Sequence, residues 1–261
     1  GAGFGGLAAV HRLSSNANNG ELELTLIDRG ADHIYTPLMY EVATGFLDYS
    51  ERRCVEALVA GVSIPLINYA RSLSLAVDFI KGEVRAVDRL QRLVELSDGR
   101  TIAYDYLVAA FGSSVDDCNV PGVHAYALTM RRLEDALAIR ARLRRYVLAH
   151  LEGKKERLEI VSCGAGPVGV EFAAELGSFF ERLRRYEIVR HRHSTITLVE
   201  FGRTILSSYD MTLQRVAENR LRRLGVDVLT ETSVKEIKKN SVVVIDRKIL
   251  EGDSGMRTIS A

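Results

Sequence analysis

Gly164-Ala-Gly166-Pro-Val-Gly169 is the stretch on which the fold turns, because Gly1-Ala-Gly3-Phe-Gly5-Gly6 repeats its pattern 163 residues earlier. Each is a G-x-G-x-x-G. The glycines remove side chains where a backbone must approach a pyrophosphate, and the free N–H groups of a helix N-terminus supply the donors. One copy occurs readily by chance. Two copies, each followed by a strand-like run ending in an acid, imply two dinucleotides in one protein, and hence a flavin and a nicotinamide exchanging electrons. The expected fold class is α/β, with two Rossmann-like dinucleotide-binding domains of three-layer β/β/α character, the first incomplete.

Working outward from the second copy, Leu158-Glu-Ile-Val161 reads as the feeding strand and Pro167 to about Arg185 as the helix. Thr195-Ile-Thr-Leu-Val199 is the next strand, ending in Glu200. Glu200 lies 31 residues past Gly169, longer than usual, and the polar stretch Arg182 to Ser194 accounts for the excess. An acid there favours NADH, since NADPH would bring a phosphate needing positive charge; Arg203 nearby weakens that preference.

From the first copy, Leu7 to Leu13 reads as a short helix broken at Ser14-Ser15-Asn16. Leu22-Glu-Leu-Thr-Leu-Ile27 then alternates into a strand that stops at Asp28, 22 residues past Gly6. That is near the spacing at which a carboxylate accepts from a ribose, although a strand-end turn residue would look similar. The strand that should feed Gly1 is not in the sequence, so the chain is expected to be a fragment.

Between and beyond these units, Tyr35-Thr-Pro-Leu-Met-Tyr40 through Gly45 reads as a loop entering a short helix. Val77 to Ala110 carries strand-like runs, with Asp98-Gly99 as a hairpin turn and Tyr106-Leu-Val-Ala-Ala110 closing the meander. Pro121-Gly122 marks a boundary. Arg131 to Leu151 has a helical apolar period, with an arginine-rich remainder (Arg140, Arg142, Arg144, Arg145) read as a solvated face. Met211 to Leu224 is a helix capped by Gly225, and Val226 to Val244 alternates as two strands. The expected domains are 1–115 for the flavin, 116–250 for the nicotinamide, and 251–261 as the return toward the first.

Composition narrows the class. With 47% apolar and 26% charged residues over 261 positions, the chain is an ordinary globular protein. Its net charge of +1 offers no global attraction to nucleic acid. Cys54, Cys118 and Cys163 are far apart and show neither a redox pair nor a zinc spacing, so free, mostly buried thiols in a reducing compartment are expected. The histidines form no metal pattern either; His191 and His193 fall in a basic stretch. No metal is expected.

Glu171 lies two residues after the glycine loop, in what reads as the first turn of the helix. A carboxylate there complements the helix dipole; facing a cleft, it would instead suit proton handling, the reading favoured. Glu175, four residues on, can share that face, with packing or solvation the expected role. A further arginine cluster (Arg182, Arg184, Arg185, Arg190, Arg192) reads as a solvated helix end rather than a lipid contact.

With these pieces placed, the chain resembles the type II NADH:quinone oxidoreductases, flavoproteins of the superfamily with two dinucleotide-binding domains. The resemblance runs nearly end to end. It rests on Gly1-Ala-Gly-Phe-Gly-Gly-Leu7, Tyr35-Thr-Pro-Leu-Met-Tyr-Glu-Val-Ala-Thr-Gly45 and Tyr104-Asp-Tyr-Leu-Val-Ala-Ala-Phe-Gly-Ser113. Val120-Pro-Gly-Val123, Gly164 through Leu176 and Leu224-Gly-Val-Asp-Val228 continue it, and the Pro-Leu-x-Tyr-x-Val-Ala-Thr-Gly segment is its most specific part.

The resemblance implies FAD at Gly1, Gly3, Phe4, Gly6, Asp28, Arg29, Pro37, Leu38, Thr44, Val84, Ala110 and Gly112. It implies NADH at Gly164, Gly166, Val168, Gly169 and Glu200, with Glu171 as the catalytic residue beside the nicotinamide. Hydride would pass from NADH to FAD, and two electrons would then reduce a membrane quinone in a respiratory chain, without proton pumping. It implies peripheral attachment at the cytoplasmic membrane face through a C-terminal region lying beyond this sequence, and it leaves a homodimer open. Three positions depart from the family pattern: Glu41 stands for Gln, Phe111 for Thr and Val168 for a frequent Thr. The nearest rivals are a ferredoxin-reductase-like or apoptosis-inducing-factor-like flavoprotein, and a truncated nucleotide-binding chain without turnover. A disulfide reductase or a sulfide:quinone oxidoreductase would need placed cysteines that are not present.

Overall fold

Parallel strands flank Gly164 in the computed structural model, which describes residues 1–17, 22–45, 66–68, 77–154, 156–189, 194–247 and 255–261. The chain divides into two compact units, Gly1–Thr36 with Ile64–Ser114, and Pro37–Ser63 with Val115–Ala261. His191, His193, Arg190, Arg192 and Cys54 lie outside the described residues.

In the second unit, β8 (Leu158–Cys163), β9 (Ser194–Val199) and β10 (Val226–Leu229) pair in parallel in the order β10-β9-β8, with Ile196 opposite both Ile160 and Val226. Strand β9 alternates Thr with Ile and Leu, and its Ile196 and Leu198 are buried. Helix α5 (Pro167–Arg185) opens on Pro167 at its first position, where the missing N–H costs nothing. It buries Val170, Ala173, Leu176, Phe180 and Leu183 at steps of three and four. These side chains meet Leu143 and Val147 of α4 (Leu133–Leu151) and Leu221 of α6 (Met211–Arg223) in one core. Fully burying each such Leu or Phe contributes about 1.5–3 kcal/mol. At Gly177 an added Cβ would stand 2.7 Å from the Leu224 Cβ, so only glycine lets α5 close on the α6–β10 turn.

An antiparallel sheet, β11 (Thr232–Lys238), β12 (Ser241–Asp246) and β13 (Met256–Ser260), follows in sequential order. The expected pair of strands over Val226–Val244 is thus three, because the parallel β10 ends at Leu229 and the antiparallel β11 begins only at Thr232. The short helix α3 (Val123–Tyr126) begins after Gly122, which has φ +88 and no room for a Cβ, 1.8 Å from the Ile237 carbonyl oxygen. Ile237 N–H donates to Pro121 at 2.8 Å, so the Pro-Gly expected to mark a boundary is stitched onto β11.

In the first unit, β1 (Leu24–Asp28) pairs in parallel with β4 (Val77–Lys81), and helix α1 (Phe4–Ala17) packs Leu7 and Val10 against Ala2, Leu26 and Val77. The helix starts at Phe4 and runs through Ser14-Ser15-Asn16, where the sequence suggested a break. Weak helix formers cost only tenths of a kcal/mol each, and packing against β1 overrides them. Strands β2 (Asp32–Ile34) and β3 (Leu66–Asn68) pair antiparallel. β5 (Val84–Asp88), β6 (Leu93–Leu96) and β7 (Thr101–Ala103) form a meander that turns at Gly99, φ +87.

That meander ends at Ala103. Tyr106-Leu-Val-Ala-Ala110 is not a strand, and Tyr106 and Val108 are 92% and 59% exposed. A strand exists only where a neighbour pairs its backbone, and none pairs this run among the described residues.

Candidate functional site

The two glycine turns are built on one template. In the second, a Cβ on Gly169 would lie 1.9 Å from the Gly164 carbonyl oxygen; in the first, a Cβ on Gly6 would lie 1.8 Å from that of Gly1. The last glycine therefore lets the helix start touch the incoming chain. Gly164 has φ +94, a conformation that disfavours a side chain. The middle glycines, Gly3 and Gly166, would meet nothing within 4 Å, which leaves the space before the helix N-terminus open. Close approach at one glycine and open space at another are what a pyrophosphate cradle requires.

The acids are fixed by the same pair of bonds in each copy. Asp28 Oδ2 accepts from Ala2 N at 2.6 Å and Oδ1 from Gly30 N at 2.8 Å. Glu200 Oε2 accepts from Ala165 N at 2.6 Å and Oε1 from Gly202 N at 2.6 Å. Each carboxylate ties its strand end to the second residue of its glycine turn. The unusual length before Glu200 thus does not move the acid out of place. A bracing role for the acids, beside the expected ribose role, was not foreseen from the spacing.

Other tethers hold the Glu200 turn. Thr232 N donates to Glu200 O at 2.9 Å, and Glu231 N to Gly202 O at 2.8 Å. The Arg247 guanidinium lies 4.2 Å from the Phe201 ring centroid. Arg203 pairs with Glu231 at 3.7 Å while 90% exposed, a contact worth little in water.

Around the remaining expected residues, Phe4 stands edge-on to His33 and Tyr35, with centroids 5.1 and 5.5 Å apart. Ala110 approaches Gly1 so closely that a Cβ on Gly1 would lie 2.3 Å from its carbonyl oxygen, and Gly112 has φ +74. Val84 is half-buried, Arg29 is exposed, and Val168 is exposed next to Gly169.

Pro37 and Leu38 lie in a 3-10 turn (Thr36–Leu38) that runs into α2 (Met39–Thr44), ended by Gly45 at φ +84. Here the tertiary structure brings together four side chains from two short stretches. Tyr40 Oη donates to Glu171 Oε2 at 2.5 Å, and Thr44 Oγ1 donates to Glu175 Oε1 at 3.0 Å. Each pair is one helical turn from the other on both helices. Arg182 Nη2 also reaches Glu175 Oε1, at 3.2 Å. A cavity of about 390 Å³ is lined by Pro37, Tyr40, Glu41, Glu171, Glu175 and Arg220 among others.

Two expectations are corrected by this cluster, those for Glu171 and Arg140. Glu171 is the fifth residue of α5, past its first turn, so the helix dipole does not account for it. Glu175, expected to be packed or solvated, is half-buried, hydrogen-bonded and ion-paired. Arg140, placed by its neighbours on a solvated face, is buried and donates to Val42 O at 3.3 Å, fastening α2 to α4. Cys118 is exposed, not buried, whereas Cys163 lies at an exposed position with a thiol whose pKa burial raises to about 11.

Burial sets the electrostatics. It raises the Tyr40 phenol above its ordinary value, helped by its bond to Glu171, so the phenol stays a donor at any working pH. Burial also raises Glu41. It raises Glu175 too, against the opposing pull of Thr44 and Arg182. Tyr40, Arg140 and Arg182 were given no site role from sequence. The signal for Tyr40 was its spacing of four from Thr44, which matches the spacing of Glu171 and Glu175.

Known proteins share both sequence and fold with this chain. The chain is 26% identical to a type II NADH:quinone oxidoreductase of Haemophilus influenzae over 97% of its own length and 61% of the relative's. It is 30% identical to a demethylphylloquinone reductase of Synechocystis, over 94% and 55%. The chain therefore spans about half the length of the curated relatives it matches. A solved NDH2 of Plasmodium falciparum in complex with NADH superposes with a TM-score of 0.78 at 21% identity, over all of this chain and 52% of that one, which establishes the shared fold. The profile described as pyridine nucleotide-disulphide oxidoreductase matches residues 1–258, and with both of its glycine turns built on one plan, the chain belongs to that family.

Proposed function

We propose that this chain is the dinucleotide-binding part of a non-proton-pumping NADH:quinone oxidoreductase that carries FAD. The duplicated turn, each with its acid bonded to the residue after the first glycine, is the observation that carries the reading. It supports two dinucleotide sites of equal construction, and the named relatives supply the reaction. The residues fit the cofactors: open space at Gly3 and Gly166 admits phosphate oxygens, and the helix starts offer free N–H donors.

Gly1, Gly3, Phe4, Gly6, Asp28, Arg29, Pro37, Leu38, Thr44, Val84, Ala110 and Gly112 would hold FAD. Gly164, Gly166, Val168, Gly169 and Glu200 would hold NADH, with Glu171 at the nicotinamide end. The bound cofactors supply hydride and electron transfer. The chain supplies position: Glu200 is held ready to accept from ribose hydroxyls, and its negative charge selects against a 2′-phosphate. Domains of 1–115 and 116–250, attachment to the cytoplasmic face of a membrane, and a homodimer belong to the same proposal. Among the described residues no helix is long and apolar enough to cross a membrane.

The test uses the protein expressed from its full reading frame and loaded with FAD. Anaerobic NADH should bleach the flavin absorbance, and a soluble quinone should restore it. A flavin that stays oxidised overturns the hydride step, and one that is reduced but not reoxidised by quinone overturns the acceptor.

A further inference from the structure

Two rungs join α2 to α5: Tyr40 to Glu171 and Thr44 to Glu175, each pair set four residues from the other. The rungs differ in what they leave over. Glu175 is half-buried, and its Oε1 is shared by Thr44 and by Arg182, with which it is ion-paired, so this carboxylate serves to join the elements. Glu171 is exposed and bonded through Oε2 to a single phenol, with no other hydrogen bond among the described residues. A glutamate on a helix surface ordinarily samples several rotamers; one short, charge-assisted bond from a half-buried ring selects among them.

The backbone under Tyr40 is itself held. Val42 accepts from buried Arg140, Met39 and Val42 are buried, and Gly45 N closes the helix onto Glu41 O at 2.7 Å. Tyr40 is therefore a fixed donor rather than a mobile one. Its phenol, whose ionisation burial opposes, remains protonated as it must to donate.

We propose that Tyr40 is a positioning residue for the NADH step: its phenol holds Glu171 in the one orientation that presents Oε1 to the nicotinamide. This rests on the placement of Glu171 at the nicotinamide in the proposed function. It assigns Tyr40 a task beyond packing, and it explains why a tyrosine rather than a phenylalanine serves a half-buried position beside a carboxylate.

The test is anaerobic stopped-flow reduction of the FAD-loaded, full-length protein by NADH, comparing Tyr40→Phe, Glu171→Gln and the double variant. Tyr40→Phe should slow flavin reduction by about tenfold while the NADH concentration giving half the maximal rate changes less than about twofold. Because the phenol acts only through the carboxylate, the double variant should be as slow as Glu171→Gln alone. Glu171→Asp, which keeps the charge but draws it out of the phenol's reach, should match Tyr40→Phe and serves if that variant does not fold. A purely structural role would lower the melting temperature without this non-additivity. Wild-type reduction in Tyr40→Phe or Glu171→Asp, or losses that multiply in the double variant, overturns the proposal. Wild-type reduction in Glu171→Gln overturns the placement of Glu171 itself, and the proposal with it.

Discussion

Glu200 and Ala165, 35 residues apart in the chain, are joined at 2.6 Å, the carboxylate of one accepting from the backbone N–H of the other. Asp28 and Ala2 stand in the same relation at 2.6 Å in the first glycine turn. A side chain expected to serve a ligand thus also fixes the loop that receives the ligand's phosphates. The loop is held in shape before any dinucleotide arrives, which lowers the ordering cost of binding.

Replacing Glu200 by Gln separates these duties. Gln retains one acceptor oxygen but loses the charge and one of the two backbone bonds. We expect NADH binding to weaken by about tenfold, with NADPH weakened less, because the repulsion of a 2′-phosphate is gone. Titration calorimetry with each nucleotide measures the ratio. An unchanged NADH to NADPH ratio would remove Glu200 from cofactor choice.

Gly166→Ala and Gly169→Ala should part company. Alanine at Gly166 meets nothing within 4 Å, so stability should change by under about 1 kcal/mol while the methyl intrudes where phosphate must come. Alanine at Gly169 would force its Cβ to 1.9 Å from a backbone oxygen, and should destabilise the unit by about 3 kcal/mol or more. Urea melts and NADH titrations together distinguish a lost site from a lost fold.

Thr44→Val removes one donor from half-buried Glu175 while preserving shape. The expected cost is about 1 kcal/mol, seen as a lower urea midpoint with unchanged slope. A change of slope would mean that the variant alters more than this bond.

Arg140→Met keeps the apolar stem and removes the guanidinium that donates to Val42. A buried carbonyl short of a donor should cost about 1–3 kcal/mol. Proteolysis should then cut first near α2, which loses its tie to α4; cleavage elsewhere would contradict that anchoring.

Glu175 gives a pH signature. Its pKa is raised in the folded protein, mainly by burial, so the folded state holds this proton more tightly than the unfolded state does. Where the folded state binds more protons, stability falls as pH rises, beginning above the ordinary glutamate value of about 4.3 and continuing until the raised pKa is passed. Glu175→Gln lacks that proton. The melting temperature of the wild type minus that of the variant should fall as pH rises through this window and level off above it. A difference that rises with pH would reverse the sign and show the charged form to be the favoured one.

Much of the second dinucleotide unit was legible in the sequence. Strand, turn, helix and acid follow one another between Leu158 and Glu200, and glycine spacing with apolar period is local information. The first unit was less so. Tyr106 to Ala110 has the composition of a strand, yet β structure needs a partner that local composition cannot supply. Exposure was the other blind spot. Arg140 shares its helix with three exposed arginines, and only the approach of α2 buries it and gives it a carbonyl.

The sequence by itself determined the two glycine turns, their acids and the α/β class, because these follow from what neighbouring residues do to the backbone. Only the tertiary structure decided that Tyr40 meets Glu171 and Thr44 meets Glu175 across 131 residues of chain. The spacing of four was visible on each helix. Which helix would face which is set by how buried side chains pack, and that information is spread over the whole core.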